Sequence, residues 1–282
     1  MSSTTANRLD RILGYRDLAE TGRHIWKALL AEFVGTLFLV LVGCGSCVEG
    51  WEKGHISQTV GIALAFGIAV ATVVQCVGHV SGGHVNPAVT MGMLVTGKIA
   101  LLRALLYVAA QVVGAIAGAG ILKALTPDPL HGTIGVTKVN PLLNPVQGFG
   151  VEFLVTFVLV LTVFAVCDPN RIDVKGSAPL AIGLSVAGCH LLAIKYTGAA
   201  MNSARAIGPS VVTGYWDHHW VYWLGPCLGG MTAGILYQTS FAAQAPDEGK
   251  EGVYFMQLKS RDGVASEKEG AEKGLMPGDT CC

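Results

Sequence analysis

Two short runs place an asparagine where a helix is about to start. Asn86-Pro87-Ala88 opens an apolar run that reaches Val95, and Asn202-Ser203-Ala204-Arg205 opens a second. Asn is a favoured helix N-cap and Pro a favoured first helical residue. A short helix is therefore predicted to start at Pro87, with its counterpart at Ser203. A helix N-terminus presents unpaired N–H groups and about half a unit of positive charge. Two such starts facing each other would aim both charges, and two carboxamide donors, at one point. That arrangement holds a neutral oxygen and turns away a cation; it does not make or break bonds. A lone Asn-Pro is common in turns, and Asn140-Pro141 and Asn144-Pro145 read as turns. Signatures of bond-making chemistry are missing, with no Gly-x-Ser-x-Gly and no His-Glu-x-x-His. Cys44-x-x-Cys47 lacks a second pair and sits in an apolar run, so its spacing reads as packing. His218 and His219 are adjacent and cannot share a helix face. No catalytic residue, metal site or cofactor is expected.

The composition shows what must position these groups. Hydrophobic residues make up 51% of the chain and charged residues 13%, with a net charge of +0. Of 38 charges, 21 lie in residues 1–27 and 247–282, which leaves 17 for the 219 residues between Ala28 and Pro246. A soluble domain carries about 25% charge, so this stretch could not cover its own surface in water. A soluble enzyme, a nucleic-acid binder and a disordered chain are excluded; an integral membrane protein is implied. Six stretches approach the roughly 20 apolar residues a bilayer crossing needs: Ala28–Val48, Thr59–Val77, Leu102–Ala124, Val146–Cys167, Ala178–Ile194 and Trp220–Phe241. Gly78–Lys98 and Lys195–His219 are too apolar for plain loops and too short to span. They read as re-entrant, a form that survives in a bilayer only when buried in protein or lining a cavity. With the N-terminus in the cytoplasm, 14 of the 19 Lys and Arg fall on the inner side, which places both tails there.

The chain also repeats. The run from Glu32 to Leu41 matches Glu152 to Leu161, Leu64–Ala71 matches Leu180–Ala187, and Ser81–Ala88 matches Thr197–Ala204, all in the same order. Each repeat holds three spans, an odd number, so the second is inverted relative to the first. Inverted repeats with interrupted helices place their site near the midplane, at the repeat interface. The expected organisation is a cytoplasmic tail (1–27), a channel domain (28–241, with repeats 28–125 and 146–241) and a second cytoplasmic tail (242–282). The fold class is all-α: six transmembrane helices plus two re-entrant half-helices.

At Gly78–Thr90, Gly176–Ser185 and His219–Pro226 the sequence resembles the aquaporin family, over essentially Trp26–Phe241. The resemblance implies a homotetramer in the lipid bilayer, each subunit with its own pore, in the plasma membrane. It implies a central constriction of Asn86, Pro87, Ala88, Asn202, Ser203 and Ala204. It also implies an outer filter of Phe66, His190, Ala199 and Arg205, in which His190 and Arg205 supply donors to a water oxygen. Carbonyls of Gly82, Gly83, His84, Gly198, Ala199 and Ala200 would line the path. Glu32 and Glu152, the two acids well inside spans, would support the loops. Glycerol-conducting relatives carry Asp after the second motif's Arg, a basic residue four further on and a small residue for the filter His. Ala206, Ser210 and His190 stand there instead, and Tyr222-Trp223 is the aromatic pair of water-selective members. The implied permeant is water, with a broader glycerol or urea facilitator as the alternative. Cys189, although beside His190, is about 100° round the helix and should face packing. Ser203 departs from the family's Pro. Ser260 and Ser266 are possible phosphorylation sites, and Cys281-Cys282 lacks a prenylation pattern.

Overall fold

The structure, a computed structural model, describes residues 12–14, 25–49, 59–171, 173 and 176–244. Most of residues 1–27, together with Ser260, Ser266, Cys281 and Cys282, lies outside them. Helices α1 (Ile25–Gly45), α2 (Thr59–Ser81), α3 (Pro87–Val95) and α4 (Leu101–Leu125) form the first repeat. Helices α5 (Pro145–Val166), α6 (Ala178–Thr197), α7 (Ser203–Thr213) and α8 (Val221–Leu236) form the second. Among the described residues there is no strand. Among the described residues, five helices are long and apolar enough to cross a membrane. The sixth, α8, has 16 residues and runs on through a five-residue π-helical turn, Tyr237–Phe241. A short 3-10 segment, Asp128–Thr133, lies in the link between the repeats. Asn144-Pro145 is not a turn: Asn144 caps α5 in a reciprocal pair with Gln147, and Pro145 is its first residue. The sequence that marks a turn and the one that marks a helix start are the same here; only the apolar run that follows separates them.

Packing follows the inversion. Helix α1 lies on α4 as α5 lies on α8, and α2 meets α6 between the repeats. Each half-helix packs on the third span of the opposite repeat, α3 on α8 and α7 on α4. Small residues allow these approaches, as expected where lipid supplies no hydrophobic drive between helices. A Cβ on Gly67 would stand 2.6 Å from the Gly183 carbonyl oxygen, and one on Gly183 would stand 2.4 Å from that of Gly67. Gly114 meets the Phe33 carbonyl and Gly229 the Phe153 carbonyl, each at 2.3 Å by the same measure. Gly114-x-x-x-Gly118 and Gly225-x-x-x-Gly229 thus make their close contacts within the subunit.

Candidate functional site

The two re-entrant loops are built alike. Each leaves a long helix, turns through left-handed backbone and restarts as a half-helix. Gly82, Gly83 and Val85 have φ of 90°, 62° and 43°, and Gly198, Ala199 and Met201 have 80°, 52° and 50°. Three of these are not glycine, and each costs about 1–3 kcal/mol. The buried carboxylates offset that cost. Glu32 accepts from the Ser81 hydroxyl (2.6 Å), the backbone N–H of His84 (2.9 Å) and Val85 (2.6 Å), and Gln111 Nε2 (2.7 Å). Glu152 accepts from the Thr197 hydroxyl (2.5 Å) and the N–H groups of Ala200 (2.9 Å) and Met201 (2.8 Å). Each of these bonds forms only when the backbone follows this left-handed path, so the carboxylates hold the strained residues in place. The Tyr107 and Tyr222 hydroxyls donate to the carbonyls of Ser81 and Thr197, both at 2.9 Å.

The asparagines are fixed at both ends. Asn86 Oδ1 accepts from the N–H of Ala88 (2.8 Å), and Asn202 Oδ1 from those of Ala204 (3.0 Å) and Arg205 (3.1 Å). Capping therefore turns each NH2 group away from its own helix. Asn86 Nδ2 donates to the Met201 carbonyl and Asn202 Nδ2 to the Val85 carbonyl, both at 2.8 Å. One N–H of each amide thus crosses to the other loop. Pro87, Ala88, Ser203 and Ala204 form the first turns of α3 and α7 and are buried.

A cavity of about 560 Å³ runs past both asparagines. Phe66, His190 and Arg205 line one end, and Gln75, His79, Cys167 and Pro179 the other. Gly82, Gly83, His84 and Ala200 line it, joined by Val85 and Met201, while Ala199 is fully buried in its loop and Gly198 caps α6. At the first of these ends the Phe66 and His190 rings stack at 4.5 Å, and Arg205 Cζ lies 4.8 Å over Phe66. Arg205 Nη1 donates to the Gly135 carbonyl at 2.7 Å, which leaves the buried Nε without a protein partner. His190 corrects one expectation. Its Nδ1 is 3.0 Å from the Val186 carbonyl, which can only accept, so Nδ1 carries the hydrogen. The neutral ring then presents Nε2 as an acceptor, not the expected donor. Cys189 turns away, with its thiol 3.5 Å from the Val155 carbonyl.

Several of these residues are invisible to motif reading. The Val85 and Met201 carbonyls and the Gly135 carbonyl act through backbone, which any sequence supplies. Tyr107 and Tyr222 stand in register between the repeats, and that signal could have found them.

A cavity threading a bundle of apolar helices, with two half-helix ends facing one point inside it, is the architecture of a channel. Residues 20–237 match the model of the family described as Major intrinsic protein. Aquaporin-4 of Homo sapiens is 51% identical over 218 residues, 77% of this chain and 68% of that protein. Aquaporin FA-CHIP of Pelophylax lessonae is 44% identical over 235 residues, 80% of this chain and 86% of that protein. The solved aquaglyceroporin from Plasmodium falciparum superposes with a TM-score of 0.70 at 24% identity, covering 77% of this chain and 96% of that one, a likeness of fold. The chain belongs to the major intrinsic protein family.

Proposed function

We propose that this chain is a passive, water-selective channel driven by osmotic gradients and closed to protons and ions. The observation that carries the reading is that Asn86, Asn202, His190, Phe66 and Arg205 all line one cavity. A water that accepts from both asparagine amides uses both lone pairs and must point its hydrogens outward along the pore. Proton hopping needs an unbroken run of waters oriented one way, and this water interrupts it. The two half-helix ends and Arg205 add positive potential that repels hydronium and metal cations. At the outer end, stacked Phe66 and His190 narrow the path, Arg205 donates and His190 Nε2 accepts. Water, with two donors and two acceptors, satisfies both; the ring pair leaves little room for a carbon skeleton.

The same reading has each subunit conducting independently in a homotetramer in the plasma membrane, with both termini in the cytoplasm. Many large apolar side chains point outward, among them Leu64, Ile68, Leu184 and Leu191, as lipid or a second subunit requires. The distribution of Lys and Arg supports the orientation. No step is catalytic. Proteoliposomes in an osmotic gradient should shrink fast, with a low activation energy and no current. Glycerol flux equal to water flux would replace this reading with the broader facilitator.

A further inference from the structure

The last turns of α1 touch the filter from behind at two consecutive residues. Gly43 and Cys44 are both buried. A Cβ on Gly43 would stand 2.3 Å from Phe66 Cε1 and 2.5 Å from Cδ1. The Phe66 ring therefore lies against bare backbone at Gly43, in space that any side chain would fill. Cys44 backs the other wall. The Gly135 backbone rests on it so closely that a Cβ there would be 2.6 Å from Cys44 Cβ and 2.9 Å from Sγ. The Gly135 carbonyl is the acceptor that holds Arg205 Nη1 at 2.7 Å. One residue thus seats the ring and the next seats the perch of the guanidinium. This end of α1 is itself pinned: Ser46 Oγ donates to the Gly43 carbonyl at 2.7 Å and the Cys47 N–H to that of Cys44 at 3.0 Å.

We infer that Gly43 and Cys44 are specificity-determining positioning residues, whose combined bulk sets how far Phe66 and Arg205 project into the pore. The inference rests on the reading of Phe66, His190 and Arg205 as the filter. Packed interiors barely compress. A methyl group added behind Phe66 has α1 on one side and the pore on the other, so the ring moves toward the pore and His190. Removing the Cys44 thiol does the reverse: the Gly135 carbonyl, 4.0 Å from Sγ, loses that neighbour, and the guanidinium it holds gains freedom. Neither residue touches the permeant.

Stopped-flow light scattering on proteoliposomes at matched protein density tests this, with water and urea as probes. Gly43→Ala should lower water permeability about tenfold, equivalent to roughly 1.4 kcal/mol on the permeation barrier, with urea still excluded. Adding Phe66→Leu to Gly43→Ala should restore water flux, which a general packing defect would not allow. Cys44→Ala should raise urea permeability severalfold with water flux retained, and Cys44→Ser should keep urea out. Unchanged water flux in a folded Gly43→Ala, or a loss that Phe66→Leu leaves in place, overturns the inference. If Gly43→Ala does not fold, Cys44→Ala decides, and intact urea exclusion overturns it. Wild-type vesicles no faster than protein-free ones would instead overturn the channel reading itself.

Discussion

At the outer end of the cavity the walls are Phe66, His190 and Arg205; at the inner end the corresponding positions of the opposite repeat are Ile182, Val74 and Val89, and all six line the same space. The backbone that carries them is nearly the same in both halves, down to the left-handed residues and the tyrosine that closes each loop. The inner wall offers a permeant no hydrogen bond from these three side chains. The outer wall pairs a fixed cation with two rings. The path follows the repeat, and in the proposed reading the three side chains that break its chemical symmetry, in register with their counterparts, make the discrimination. A second departure lies behind the loops. Gln111 gives Glu32 a fourth donor, whereas the matching position in the other repeat is Pro226, which has none.

The largest effect should come from making the outer end resemble the inner. His190→Ala with Arg205→Val removes ring bulk and a charge whose interaction at 4 Å is about 4 kcal/mol at an effective dielectric constant of 20. Urea and glycerol permeability should rise by about tenfold or more, a factor that needs only ~1.4 kcal/mol, and protons should leak. Stopped-flow and pH-dye measurements check both; unchanged exclusion in a folded protein would place the filter elsewhere. The second contrast concerns the carboxylates. Glu32→Gln and Glu152→Gln each turn an acceptor into a donor among N–H groups. In the first repeat, Gln111 can reverse its amide and offer its buried, unpartnered Oε1. Pro226 cannot. Glu152→Gln should therefore lower stability more than Glu32→Gln, by about 1–3 kcal/mol for the additional unsatisfied group, read from thermal unfolding in detergent. Equal losses would show that Gln111 does not compensate.

Smaller effects sharpen the picture. Ser203 occupies the place of Pro87, and its hydroxyl lies 3.8 Å from Cys227 Sγ, a weak contact. Ser203→Pro should leave water selectivity unchanged and add a fraction of a kcal/mol up to about 1. A fall in glycerol or urea flux on that substitution, with water flux kept, would mean that Ser203 widens the centre. The smallest concerns His219, outside the spans, which burial holds below the usual histidine value. As pH falls through about 6.5, the unfolded chain takes up a proton before the folded one, so stability present at neutral pH declines toward pH 5. His219→Gln should flatten that part of the unfolding-temperature profile; an unchanged slope would assign it to another group.

Side-chain chemistry was legible in the sequence wherever a residue type has one strong preference. Asn86 and Asn202 announced helix starts, Glu32 and Glu152 announced their pairing, and the apolar runs gave spans correct to within a few residues. The end of the sixth span was less so, since nothing in Tyr237–Phe241 signals a π-helical turn. His190 showed the deeper limit. Its type permits donor or acceptor, and only the position of the Val186 carbonyl, four residues back on its own helix, decides between them. Gly135 and Gly43 carried no signal, because one acts through a carbonyl and the other through the lack of a side chain.

The crossed amides have a consequence for the order of events during synthesis. Asn86 must hand an N–H to Met201, which lies 115 residues later in the chain. At about 5–20 residues per second, the first loop exists for roughly ten seconds before its partner has been made. Through that interval its amide lacks the partner it will finally have, in surroundings where an unmet N–H costs several kcal/mol. The first three spans can therefore enter the bilayer in turn, but their loop reaches its final shape only when the second arrives. The two halves close as a pair.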